Sequence, residues 1–123
     1  MTNQQQVDLL KQESATLWNT WREKHHNTVI ELNGVDLSEA NLGEVNLAEA
    51  DLSQANLREA DLNNANLRKA RLVKAVLSDA DLREANLHKA YLTDANLAGA
   101  NLRGAILFDA NSIGPCSKGR SSL

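Results

Sequence analysis

Leucine recurs at every fifth residue from Leu37 to Leu107 without a miss. Two residues before each stands a small apolar residue, alanine throughout except for Val35 and Val45. Between the two sits Asn or Asp in most units, as in Ala40-Asn41-Leu42 and Ala50-Asp51-Leu52, and the two residues after each leucine are mostly polar.

A period of five suits neither standard element. On an α-helix each leucine would advance about 140° net and no apolar stripe would form. On a continuous strand a step of five alternates faces and exposes half of the leucines. The pattern within a unit is in-out-in-out-out, so a short extended piece buries the small residue and leucine, and the polar pair turns the chain. If every unit turns the same way through a right angle, four units close a coil of about 20 residues. Coils then stack at the strand spacing of about 4.8 Å, and Leu37, Leu57, Leu77 and Leu97 form one column. The predicted class is an all-β solenoid.

The run of Ala-Asn/Asp-Leu-x-x units resembles the pentapeptide-repeat family. The resemblance implies a right-handed quadrilateral β-helix of about four coils. Departures fall at the outward Asn/Asp position, at Arg71, Val76, Tyr91 and Ile106. The resemblance also implies a bacterial and in particular a cyanobacterial source, and a molecular role that is mostly unassigned. Some relatives protect DNA gyrase from quinolones by resembling B-DNA in width and negative charge. This chain is similar in repeat type but shorter, nearly charge-balanced and provided with a basic edge.

Upstream of the repeats, residues 4 to 25 read as one amphipathic helix, with Val7, Leu10, Leu17, Trp18 and Trp21 on a shared face. Thr2 or Asn3 is the expected N-cap. Both tryptophans of the protein lie here. The open first coil of a solenoid exposes backbone and core to water, so Leu17, Trp18 and Trp21 are expected to form an N-terminal cap. The rival expectation is a docking helix for a partner. His25 and His26 suit the C-terminus of a helix and have no converging ligands. Ile30 and Leu32 fit inward positions of an imperfect lead-in. The expected organisation is a capping helix and lead-in over 1–34, the β-helix over 35–113 and a flexible tail over 114–123.

Asn64, Gly99 and Gly104 occupy the second residue after leucine, where a tight turn calls for positive φ. After Ala110 the rhythm fails, and Pro115 cannot donate to a ladder. Ile106, Phe108 and Ile113 gather near that end. Two uses fit them: covering the last coil, or joining two chains end to end. The expected state is a monomer or such a C-terminal homodimer.

With one Phe and one Tyr, an aromatic core is not available, and leucine and alanine must fill the coil. The net charge of −3 argues against direct nucleic-acid binding. No apolar run approaches membrane-spanning length, Met1 to Gln6 carries no signal-peptide pattern, and the single Cys116 suits a reducing compartment. A cytoplasmic location is expected.

Positions 20 apart become neighbours, so the surface is legible in columns. Glu39, Glu59 and Asp79 stack on one edge beside Asp61 and Asp81, the candidate surface for an unknown protein partner. Arg68, Lys69, His88 and Lys89 collect on another, with Arg71 beside them and Tyr91 placed to stack on Arg71. The inward positions are aliphatic throughout, leaving no pocket for a substrate. No nucleophile-base set, paired carboxylates in a cleft, phosphate-binding loop, metal-ligand cluster or cofactor motif occurs. The regular Asn and Asp residues are expected to bond nearby backbone at the turns. The expected function is a non-enzymatic scaffold or protein-binding module, and the alternative is a DNA-mimicking protector of gyrase.

Overall fold

A computed structural model describes residues 2–111. Ile113 and the predicted tail over 114–123 lie outside the described residues. From residue 31 onward the outward position of every unit forms a parallel bridge with the residue 20 further on, from Glu31 with Asp51 to Tyr91 with Asn111. Those 80 residues make four steps of 20, and the chain is a square tube of four coils. The ladder therefore takes in Glu31 and Leu32, with Ile30 and Leu32 buried like any later repeat pair.

Each rung is held by three backbone bonds. Leu37 N–H donates to the Asn56 carbonyl at 2.8 Å, Glu39 N–H to the Arg58 carbonyl at 2.9 Å, and Asn56 N–H back to the Val35 carbonyl at 2.8 Å. Corners are closed by a bond from each alanine N–H to the preceding leucine carbonyl, as from Ala60 to Leu57 at 3.0 Å. Every second post-leucine residue from Gly34 to Asp109 has φ between +58° and +75°. A carbonyl-to-N–H closure around a positive φ at the third residue is the pattern of a type II turn. The expectation for Asn64, Gly99 and Gly104 thus holds, and extends to Glu, Gln, Lys and Asp at the same position.

The outward Asn or Asp of each unit accepts a bond on Oδ1 from the N–H two residues on. Asn56 accepts from Arg58 at 3.1 Å, Asp61 from Asn63 at 3.0 Å, and Asn86 from His88 at 3.0 Å. The side chain pre-forms the corner it precedes. Leu37 to Leu87 in the bore are wholly buried, and the alanines from Ala50 to Ala100 nearly so. Each such leucine contributes about 1.5–3 kcal/mol of burial. Leu102, Ala105, Leu107 and Ala110 in the last coil are only partly buried.

The N-terminal region departs from the predicted single helix. Two helices form, α1 over Asn3–Leu10 and α2 over Ala15–Lys24. Thr2 caps α1 with a reciprocal box to Gln5, and Ser14 caps α2 by accepting from Leu17 N–H at 3.2 Å. Glu13, at φ +61°, reverses the chain between them. Trp18 is wholly buried, Trp21 half-buried, and Leu17 51% exposed. Leu17 therefore does not join the tryptophans against the coil. Among the described residues no helix is long and apolar enough to cross a membrane.

Candidate functional site

The tube has four walls, numbered here by the outward residues they carry. The first holds Glu31, Asp51, Arg71 and Tyr91; the second Asp36, Asn56, Val76 and Asn96; the third Asn41, Asp61, Asp81 and Asn101; the fourth Asn46, Asn66, Asn86 and Ile106. Since the bore is filled with aliphatic side chains, any chemistry the protein offers lies on these walls, at their corners, or at the ends.

The lower end of the fourth wall meets α2. In every higher coil the outward N–H, the outward carbonyl and the carbonyl two residues on bond to the coil below. Asn46 and Ala48 have no coil below, and α2 takes its place. Asn19 Oδ1 accepts from Asn46 N–H at 2.7 Å. Trp18 Nε1 and Arg22 donate to the Asn46 carbonyl at 2.7 and 2.9 Å, and Arg22 also donates to the Ala48 carbonyl at 3.1 Å. Asn19 Nδ2 reaches the Glu44 carbonyl at 3.1 Å, and Asn3 Nδ2 from α1 binds the Glu31 carbonyl. Partial burial lowers the Arg22 pKa from its ordinary value, opposed by nearby Glu49. Trp21 lies 5.4 Å from the Trp18 ring and stacks on His25 at 4.9 Å.

The predicted acidic edge exists as a column. Glu39, Glu59 and Asp79 occupy successive rungs at the corner between the second and third walls, with Asp61 bridged to Asp81 on the third wall. It is not uniformly negative. Arg83 clamps Asp81 with two bonds of 2.8 and 2.7 Å, and Arg58 pairs with Glu59 at 3.2 Å. The Arg83 hydrogen bonds hold the Asp81 carboxyl below the usual range, and Asp81 raises Arg83 in turn. On the second wall the Ser38 hydroxyl and N–H lower Asp36 in the same way. The Asp79 carboxylate leans over Gly99 above it, so that a Cβ there would collide with Asp79 Oδ1.

At the opposite corner Lys69 and Lys89 stack between Glu49 below and Asp109 above. Beside them on the fourth wall Arg68, His88 and Phe108 form one column, with the His88 and Phe108 rings parallel within 4° at 5.5 Å. Arg71 and Tyr91 are bridged neighbours on the first wall. Ile106 and Phe108 are 50% and 68% exposed. They stand at wall positions of the last coil and project sideways, where an end-to-end contact would need them over the open end. The stacked His88–Phe108 pair was not legible as such, although the spacing of 20 between the two residues is its signal.

Among the described residues no group of three His, Cys, Asp or Glu is placed to hold a metal. The surface depressions are open. The one beneath Arg22, lined also by His26, Thr28, Ile30 and Glu49, holds about 260 Å³.

The family model of pentapeptide repeats matches residues 30–69, 60–97 and 70–107, in 8 copies. No curated protein matches. The chain is similar to a crystal structure of a pentapeptide repeat protein from Nostoc PCC 7120, with 44% identity over 70% of this chain and 71% of that one and a TM-score of 0.64. It is similar also to a pentapeptide repeat protein of the Arabidopsis thaliana thylakoid lumen, at 35% identity over 67% of this chain and 57% of that one, TM-score 0.65. A third is Rfr23 from the cyanobacterium Cyanothece 51142, at 36% identity over 69% and 53%, TM-score 0.51. The chain spans just over half the length of the last two. These likenesses make the square tube a right-handed quadrilateral β-helix.

Proposed function

Because the chain belongs to the pentapeptide-repeat family, we propose that it is a non-enzymatic scaffold that binds other proteins through its flat polar walls. One observation carries this reading: the bore is packed solid with leucine and alanine, which leaves no concave apolar site to desolvate a substrate. What remains for recognition is a rigid display of side chains at fixed pitch.

In this reading α1 and α2 are the N-terminal cap, since their side chains supply the bonds that a lower coil would supply, as at Asn46 and Ala48. Trp18 and Trp21 serve that cap. The candidate partner surface is the acidic corner of Glu39, Glu59 and Asp79 with Asp61 and Asp81. A pull-down from native lysate tests it. Neutralising Glu39, Glu59 and Asp79 together should release a partner that the unaltered protein retains; an identical set of bound proteins contradicts the assignment. Ile106 and Phe108 stand at wall positions and the partly buried Leu102, Ala105, Leu107 and Ala110 at the open end, and light scattering at high concentration decides between a monomer and an end-to-end homodimer.

Protection of gyrase has less to rest on. Arg58 and Arg83 interrupt the acidic corner, and Lys69 and Lys89 stand at the opposite one, so the outline of a uniformly negative duplex is missing. A supercoiling assay without inhibition at micromolar protein disposes of that alternative.

A further inference from the structure

We propose that the fourth wall, together with the corner it shares with the first, docks an acidic extended segment of a partner protein that ends in leucine or an aromatic residue. This rests on the protein-binding reading above but uses a different surface.

Arg68, Lys69 and Lys89 form no ion pair among the described residues. The ion pairs formed among the described residues, Arg58 with Glu59 and Arg83 with Asp81, lie on the second and third walls. Arg68, Lys69 and Lys89 enter neither, and the His88 ring stands among them. Stacked like charges repel slightly at the ladder spacing, and an acidic strand laid along the columns removes that repulsion. Above the cations the wall turns apolar. Phe108 lies flat on His88 and is 68% exposed, Ile106 is 50% exposed, and Tyr91, round the corner beside Lys89 and one rung below Asn111, is 47% exposed. Ring stacking fixes the Phe108 orientation before a ligand arrives, which lowers the ordering cost of binding. A peptide with carboxylates at one end and an apolar anchor at the other matches this order.

The ends of the basic column say how long the segment is. Glu49 closes it below and Asp109 above, so favourable charge extends over two rungs only. That limit, with the net charge of −3, disfavours a continuous polyanion such as nucleic acid. A short acidic peptide fits between the two carboxylates.

The test is fluorescence anisotropy with a labelled peptide of four glutamates followed by leucine and phenylalanine, at low salt. Saturable binding is expected, weakened about tenfold or more in Lys69→Glu/Lys89→Glu and about threefold or more in Phe108→Ala. Omitting the leucine and phenylalanine should weaken binding to the unaltered protein but not to Phe108→Ala. Glu already stands at this corner position with φ near +60° at Glu59 and Glu84, so the lysine variants keep the fold, as circular dichroism verifies. Glu39→Gln/Glu59→Gln/Asp79→Asn should bind the peptide undiminished, whatever it does to the lysate partner, which separates this inference from the reading it rests on. Unchanged affinity in the double lysine variant overturns the proposal. So does preferential displacement of the peptide by oligothymidylate or by phosphatidylglycerol vesicles.

Discussion

Trp18 Nε1 donates to the Asn46 carbonyl at 2.7 Å, and that carbonyl belongs to the first coil's lower edge. One side chain thus fills the end of the bore and satisfies an edge acceptor. Trp18→Ala should cost about 3–5 kcal/mol through the cavity it leaves. Trp18→Phe keeps most of the packing and isolates the hydrogen bond, at about 0.5–1.5 kcal/mol, since Arg22 still donates to the Asn46 carbonyl. Leu17→Ala, half exposed, should change stability by about 0.5 kcal/mol or less. Trp21→Ala should fall between. Urea denaturation of the variants checks the series, and an unchanged Trp21→Ala would favour a docking role for α2.

The corners impose a left-handed backbone on residues that resist it. Glu, Lys, Gln and Asp all adopt φ near +60° there, at a cost of about 1–2 kcal/mol per residue. Lys74→Asn should therefore be neutral or stabilising, and Lys74→Val should destabilise by about 1–3 kcal/mol. Gly99→Ala should be worse than its φ alone suggests, because the added Cβ meets the Asp79 carboxylate. Thermal melts of the three variants give the order.

Val76 stands where the units on either side in its column, Asn56 and Asn96, accept the N–H two residues on. Val76→Asn supplies the missing acceptor to the Ser78 N–H. The gain should be about 0.5–1.5 kcal/mol, read as a melting temperature higher by a few degrees.

Acid should weaken the fold at two known carboxyls. Asp81 and Asp36 both ionise below their ordinary range, chiefly through the hydrogen bonds from Arg83 and Ser38 respectively. A carboxyl depressed in the folded state contributes stability above its unfolded pKa of about 3.9 and loses it as pH falls through the lower folded value. The melting temperature should therefore be level near neutrality and drop below about pH 4. Asp81→Asn keeps the corner acceptor, loses the Arg83 clamp, and should flatten part of the acid limb. Both groups are substantially exposed, so added salt should shrink the Asp81 contribution.

The repeats were legible because burial and turn chemistry recur together. Leucine and alanine two apart, Asn or Asp between them and a polar pair after them already specify an inward pair, a corner and a pitch of 20. The acidic column and the basic column followed from that pitch alone. The N-terminal region has no such redundancy. Val7, Leu10, Leu17, Trp18 and Trp21 fit one continuous helical face, and the signals against continuity were the apolar gap between Leu10 and Leu17 and the capping serine at Ser14. Glu13 carries no sequence mark of a left-handed residue. Leu17 therefore falls outside the face that packs on the coil. The clamps of Arg83 on Asp81 and Arg58 on Glu59 were also hidden, since columns give the neighbours of backbone positions and long side chains reach sideways out of them.

The pitch itself is open to direct measurement. Nitroxide labels at Gln54→Cys and Lys74→Cys, in a Cys116→Ser background, sit on adjacent rungs about 4.8 Å apart in backbone. Labels at Gln54→Cys and Asn64→Cys sit at diagonal corners of one coil, although they are closer in sequence. Strong dipolar broadening of the electron paramagnetic resonance spectrum for the first pair and little for the second is the result the square tube requires. Equal broadening, or stronger coupling between positions 54 and 64, would contradict it.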